Sequence, residues 1–490
     1  MGTASRKAIN VLYLAAEAEP FARVGGLGDV AGALPPALRA VPIDVDSHYG
    51  IDIRLAIPFY NSIRAADYPI EQVAEFDVSS RNGPVHATVY ETRLANLPVY
   101  LVDGEPIRVV DTVYGKDFEA DAEKFIFFSL ACVQLAQEIG WQVDIIHAND
   151  WHTAAAIHLL KRIRKRDRFF ANTKGVISIH NLPFMGTGAG KALKLYQLPP
   201  SRNPDMPAWG RSLPLPMGID AADWILTVSP HYAEEMLTPG FGCDLQDYLK
   251  TKADHFSRIL NGLDTDLWNP AADKCIKQRF TSESLPERQV NKADLQRELD
   301  LPQDEAIPLL AYVGRMENQK GLDLALDALP KLKSQSWQCV ILGTGNKVIE
   351  ADARQMQDAH PENVQVLIKF DIPLSHRVYA GADMLMMPSR YEPCGLAQMI
   401  AMRYGCIPVA SATGGLVNTI INHTANARGT GFLFDLAVHN GLVKALDKAL
   451  EVFKKKAAWL AIQKNAMAQD HSWKNSAIEY AAVYNKLLQN

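Results

Sequence analysis

The chain has 490 residues, 48% of them hydrophobic and 21% charged, with a formal net charge of -5. At about 150 residues per domain this is too long for one ordinary core, and it lacks the polar or Pro/Gly-rich tracts of a disordered chain. The acidic balance disfavours nucleic acid as a partner, and no run reaches the roughly 18 unbroken apolar residues of a membrane span.

The opening "MGTASRKAIN" has no apolar export core, which predicts a cytoplasmic protein, or a plastid-stromal one if this is a mature plant or algal form. In the first half, short apolar runs recur: "INVLYLAAEA", "DIRLAIPFY", "LPVYLVDG", "VDIIHAND", "KGVISIHN" and "DWILTVS". Near-continuous apolar strands are buried on both faces, as in parallel sheets with helical crossovers. After the first run comes "FARVGGLGDVAGALPPAL", in which Gly25 and Gly26 open a helical pattern. Such a backbone can approach an anion, with helix N–H groups and the positive dipole end facing it. A plain tight turn has the same spelling.

The fourth and fifth runs lead into "HANDWHTAA" and "SIHNLPF", which place Asp150, His152, His180 and Asn181 at the carboxyl edge of the sheet. The basic cluster "KRIRKRDR", Lys161 to Arg168, follows a helical pattern and suits a helix C-terminus; an anion patch is the alternative. After a polar stretch at 271–305 the rhythm restarts with "PLLAYVGR", "WQCVILGTG", "VQVLIKF", "ADMLMMPS" and "CIPVASAT", marking a second α/β domain. The expected division is 1–270, 271–465, and C-terminal helices at 466–490 that pack back across the joint. Two doubly wound parallel sheets predict a ligand cleft outside the strands' carboxyl ends.

In the second domain, Arg315 and Lys320 of "VGRMENQKGLDLAL" follow a strand and suit a diphosphate, although a solvated helix start reads the same. "SRYEPCGLAQMIAMRYG" offers Glu392 to sugar hydroxyls or to a helix dipole, with Cys394 and Gly395 beside it. "ATGGLVNTI" repeats the paired-glycine device at Gly414 and Gly415. Six scattered cysteines show no CxxC pair and no matching histidine spacing, which predicts neither a zinc site nor a disulfide framework. The Asp-x-Asp pairs Asp44/Asp46 and Asp264/Asp266 spell a metal-diphosphate motif, a spelling common by chance in a chain this long.

The ordered set "AEAEPFARVGGLGDV", "IHANDWHTA", "SIHNL", "TVSPHYAEEM", "ILNGLDTDLWNP", "VGRMENQKGLDL", "SRYEPCGLAQ", "TGGLVNT" and "AQDHSW" closely resembles the bacterial glycogen synthases and plant starch synthases, from about Ile9 through Tyr484. The resemblance implies a GT-B type α/β fold of two facing Rossmann-like domains around an interdomain active-site cleft. It implies transfer of glucose from ADP-glucose to the nonreducing end of an α-1,4-glucan, with retention and with no metal or other cofactor. Arg315, Lys320, His180, Glu392 and Asp150 match its catalytic positions. Arg23, Gly25, Gly26, Asn261, Gly343, Phe370, Cys394, Gly395, Leu396, Thr413 and Gly414 match donor-side positions, and Asp29 and Asn181 the acceptor and glucose side. No oligomer is indicated.

Several residues depart from the family pattern. Arg23 replaces a usual lysine, Lys124 an arginine, Met217 a frequent lysine, Phe370 a common tyrosine and Asn418 a common aspartate. Two other readings stay on the same scaffold: a transferase using UDP-glucose or a small acceptor, and a catalytically silent glucan-binding homologue.

Overall fold

The computed structural model describes residues 8–41, 50–334, 336–423 and 428–489. The opening residues 1–7 and the pair Asp44 and Asp46 lie outside the described residues. The chain divides into two compact units, Met1–Gly262 with Trp473–Asn490, and Leu263–Ser472.

The first unit is built on β1 (Ile9–Leu14), β2 (Ile51–Pro58), β3 (Glu71–Val78), β4 (Val85–Leu94), β5 (Leu97–Gly104), β6 (Ile145–Asn149), β7 (Lys174–Ile179), β8 (Trp224–Thr227) and β9 (Phe256–Arg258). They form one sheet in the order β3-β4-β5-β2-β1-β6-β7-β8-β9. From β5 to β9 all neighbours are parallel, while β3, β4 and β5 form an antiparallel meander. Every strand expected here is present; β3, β4 and β9 were not expected. In β3 only Phe76 and Val78 are buried, so it alternates with solvent on one face and escapes a search for continuous apolar runs. β9 has only three residues.

The second unit carries β10 (Leu309–Val313), β11 (Gln338–Gly343), β12 (Val364–Ile368), β13 (Met384–Met387), β14 (Ile407–Ser411) and β15 (Phe432–Phe434). Its order is β12-β11-β10-β13-β14-β15, parallel throughout. Of these only the three-residue β15 was not expected from the sequence.

Both sheets share one winding. The second unit follows the 3-2-1-4-5-6 order of a dinucleotide-binding Rossmann sheet, and β5-β2-β1-β6-β7-β8 repeats it in the first. In that winding ligands bind beyond the carboxyl ends of the two central strands, where the order reverses. Those points lie between β1 and β6, and between β10 and β13.

Helix Phe118–Glu138 packs Phe125, Phe127 and Phe128 into the core of the first unit. Helix Asp150–Ile163 ends in the basic cluster, with Lys161 and Arg162 in its last turn and Arg164 paired with Asp223 at 2.7 Å, so part of that cluster lies at a helix C-terminus. Helix Trp473–Gln489 belongs to the first unit. Its Tyr484 hydroxyl lies 2.6 Å from His147 Nδ1, and Ser476 Oγ donates to the Leu260 carbonyl at 2.6 Å. Among the described residues no helix is long and apolar enough to cross a membrane.

Candidate active site

The loop after β1 folds over a buried acid. Glu17 is 1% exposed, and its carboxylate accepts the amides of Val24 and Gly25, the latter at 3.0 Å, and the Tyr114 hydroxyl at 3.0 Å. The glycine turn therefore points its first amides inward, where the sequence suggested outward-facing ones. Helix Gly26–Arg39 starts directly after it; in its first turn the Gly28 amide donates back to the Gly25 carbonyl at 3.2 Å and also faces the Glu17 carboxylate. Burial raises the Glu17 pKa, and these donors oppose the rise.

Arg23 reaches Asp29 at 3.1 Å, so the cation assigned to the donor and the acid assigned to the glucose side form an ion pair. Burial pushes Asp29 up to about 6, against the pull of Arg23.

Beside β1, β6 ends at Asn149, and Asp150 adopts φ +56, a left-handed conformation uncommon outside glycine. Its Oδ1 accepts the amides of His180 at 2.7 Å and Asn181 at 3.2 Å, the first residues beyond β7. This ties the carboxyl ends of two adjacent strands together. Burial raises Asp150 to about 7, opposed by the two amides.

His180 Nε2 lies 2.8 Å from Asn149 Oδ1, whose amide nitrogen donates to the Leu14 carbonyl at 2.8 Å. An amide oxygen only accepts, so Nε2 carries the proton and Nδ1 keeps its lone pair. Burial lowers the ring to about 4, leaving it neutral at pH 7.

The buried Asn181 Oδ1 has no protein partner, nor has Asn261 Oδ1 beyond β9 in the same unit. Buried acceptors are normally satisfied, so both mark room for a donor. His152 Nδ1 is likewise buried without a partner, but its ring sits among those of Tyr114, Phe125 and Trp151, and burial lowers it to about 3, as for a core histidine.

In the second unit the sequence-assigned residues follow successive strands. Arg315, exposed after β10, extends its guanidinium to Gln319 Oε1 at 3.2 Å. Lys320 instead places Nζ 2.7 Å from both oxygens of Glu392, beyond β13, and Ser389 Oγ donates to the same carboxylate at 2.9 Å. One expected cation is thus open and the other is already matched by the expected sugar acceptor. Neither Ser389 nor Glu17 was singled out from sequence; a charge directly ending the apolar run "LYLAAE" was the available signal for Glu17.

The glycines here serve close backbone packing. A Cβ on Gly414 (φ +45) would collide with the Glu392 carbonyl, and one on Gly343 with the Gly314 carbonyl. Thr413 and Leu396 flank the starts of helices Gly414–Thr419 and Ala397–Arg403, with buried Cys394 and left-handed Gly395 just before Leu396. Phe370, following β12, exposes 65% of its surface.

Asp264 Oδ1 accepts the amides of Asp266 and Leu267, so this Asp-x-Asp pair makes a turn. Among the described residues Asp273, Cys275 and His376 bring metal-type side chains together. The Asp273 carboxylate accepts the Cys275 amide at 2.8 Å, His376 Nδ1 at 2.7 Å and the Tyr404 hydroxyl at 2.6 Å, while Trp268 stacks on the imidazole. These bonds make the group a structural clamp. Of the departures, Met217 and Lys124 are buried and Asn418 is exposed.

Residues 10–251 match the family description "Starch synthase catalytic domain", and residues 293–465 match "Glycosyl transferases group 1". The chain is 38% identical over 490 residues to a glycogen synthase of Clostridium perfringens, covering 99% of each chain. The chain belongs to the glycogen and starch synthase family. Glycogen synthase 2 of Geobacter metallireducens is 36% identical, over 98% of this chain and 99% of that one. The catalytic domain of starch synthase IV from Arabidopsis thaliana, bound to ADP and acarbose, superposes with a TM-score of 0.90 at 29% identity, covering 99% of this chain and 100% of that one. The fold is that of this GT-B family, two α/β units each with a parallel-dominated sheet.

Proposed function

We propose that this family member transfers glucose from ADP-glucose to the nonreducing end of an α-1,4-glucan, with retention at the anomeric carbon and without a metal ion. The observation that carries this reading is the whole-length likeness to a starch synthase holding ADP and acarbose.

Cleaving the anomeric C–O bond puts negative charge on the departing diphosphate, and Arg315 and Lys320 stabilise it as it forms. Lys320 exchanges its partner: the diphosphate competes for its ammonium, and Glu392 turns to a sugar hydroxyl. His180 offers the Nδ1 lone pair and Asn181 its unpartnered Oδ1 to hydroxyls of the transferred glucose, while Asp150 holds both residues by their amides. Arg23 lies on the phosphate or glucose side, and Asp29 towards the acceptor. Phe370 stacks on the nucleobase.

A retaining hydrolase would need two carboxyls about 5 to 5.5 Å apart flanking the bond. Here the acceptor hydroxyl attacks from the face the phosphate leaves, the new C–O bond forms as the old one breaks, and the departing phosphate oxygen takes the proton. The test is a donor panel with glycogen and maltooligosaccharides in excess EDTA. Faster turnover with ADP-glucose than with UDP-glucose, α-configured product and insensitivity to the chelator are expected. Preference for UDP-glucose reassigns the donor, metal-restored activity returns the acids to consideration, and absence of transfer with any donor leaves a glucan-binding protein.

A further inference from the structure

Behind the glycine turn runs a relay of buried polar groups that the proposed chemistry does not use. It begins on helix Phe118–Glu138, where Lys124 is fully buried. Its Nζ donates to the carbonyls of Thr112 at 3.1 Å and Val113 at 2.8 Å, and to Asp121 Oδ1 at 2.8 Å. Asp121 Oδ2 accepts the Gly115 amide at 2.7 Å. The strand of chain from 112 to 115 is therefore pinned on both sides of Tyr114. The Tyr114 ring packs, with Trp151, against Ala16, Leu27 and Phe125, and its hydroxyl donates to Glu17, which holds the Val24 and Gly25 amides.

As a stability device this is a poor choice, since a buried ion pair and a buried acid each carry a desolvation cost that apolar residues avoid. As an anion site it is worse, because a carboxylate beneath the turn repels a diphosphate. What the relay supplies is geometry: the Val24 and Gly25 amides are fixed on Glu17 with the Gly28 amide turned the same way, and this sets the direction of the intervening Gly26 and Leu27 at the helix start. We infer that Glu17, Tyr114 and the Lys124–Asp121 pair are positioning residues that hold the Val24–Gly25–Gly26 turn in its donor-receiving form. This rests on the ADP-glucose reading.

Glu17 is faced by Tyr60, whose hydroxyl bonds the Ala16 carbonyl, by Tyr114, by Asp29 with its partner Arg23, and by Asp150; Glu19 lies near Asp29. Lys124 lies one layer back, over the Tyr60 ring at 5.7 Å. Removing the Tyr114 hydroxyl takes away a donor that favours ionised Glu17, so Glu17 binds its proton at higher pH and the turn loosens from the acid side.

The experiment uses the full chain with Tyr114→Phe. Expected are a roughly tenfold fall in kcat and an acid limb of kcat shifted upward by about one pH unit. Amide exchange should quicken in residues 21–28, with glucan KM unchanged within about twofold. Lys124→Met is expected to reproduce the local exchange change; if that variant does not fold, the Tyr114→Phe measurements decide alone. Wild-type kcat, acid limb and exchange in Tyr114→Phe overturn the inference, and so does a uniform loss of stability with kcat per folded molecule unchanged. A wild-type chain that transfers no glucose fails the functional reading instead, and local exchange then still tests whether the relay holds the turn.

Discussion

At the reversal between β1 and β6 the first unit gathers acids that burial raises, Glu17, Asp29 and Asp150, around a neutral His180. At the equivalent reversal between β10 and β13 the second unit offers an exposed Arg315, a Lys320–Glu392 pair and backbone packed glycine against carbonyl. The same winding thus frames a dry, hydrogen-bonded acid cluster in one unit and an open cationic edge in the other. One should respond to pH and the other to charge removal and steric change. The difference shows how one fold divides a reaction into handling sugar hydroxyls and handling a departing anion.

The largest effects are expected from the cationic edge. Arg315→Ala and Lys320→Ala should each lower kcat by about a hundredfold to a thousandfold with little change in glucan affinity. Glu392→Gln added to Lys320→Ala should cost less than it does alone, since the pair is already broken. Near-wild-type kcat in both single variants would break the contrast between the units.

The next effect is on acid stability. His147 and His152 are lowered to about 3, and His158 and His180 to about 4, all by burial in the first unit. Their neutral forms contribute stability that is present above the ordinary 6.5 and is lost as pH falls towards those values. Asp29 and Asp150, raised to about 6 and about 7, act oppositely: the cost of their charges is present above those values and fades as pH falls towards 3.8. Glu17 and Glu479 of the same unit, also raised by burial, act in this second sense, so the expected loss rests on the four histidines, of which His147 lies in β6 and His180 directly follows β7.

In the second unit Glu350 is held at about 2 and Asp273, Asp323 and Asp371 are also lowered, so their contribution persists to lower pH, although His423 and His471 are lowered as well. Hydrogen exchange at pH 5 should therefore show β6 and β7 losing protection before β10 and β13. The reverse order would contradict the contrast.

Smaller again, Gly343→Ala should cost about 1 to 3 kcal/mol by forcing a methyl onto the Gly314 carbonyl. Gly190→Ala, whose Cβ would meet nothing within 4 Å, should be close to neutral. Thermal denaturation of the two variants checks this.

The smallest effect is expected at Arg23. Arg23→Lys keeps the charge beside Asp29 and exchanges a planar fork for a point charge, so kcat should change by less than about threefold, or improve. Arg23→Ala should impair turnover more strongly and raise the Asp29 pKa further. Equal kcat in the two variants would leave the turn acting through its backbone alone.

The parallel strands were legible because burial on both faces leaves an unbroken apolar record, as in "VLYL" and "LLAYV". The β3–β4 hairpin was not, since one solvated face breaks that record into alternation. At the site, the glycine turns and strand-end residues could be read from local spelling. Lys124 was visible as a departure, but its partners at 112 and 113 depend on how the loop returns to the helix. Tyr114 and Glu17 lie 97 positions apart, and no spacing links them before the sheet forms. The Lys320–Glu392 pair likewise joins two loops that only the reversal between β10 and β13 makes neighbours.

The chain leaves the first unit at Gly262 and re-enters it at Trp473. On a ribosome, the unit begun first is therefore finished after the other. Residues 263–472 can complete all six of their strands while His147 still lacks the Tyr484 hydroxyl that caps it in the finished protein. Domains generally fold as units during synthesis, so the nascent first unit must wait through the translation of a whole second one. A pause or a stop codon placed before residue 473 would leave it without the partner of His147 and without the helix that packs against Gly26–Arg39.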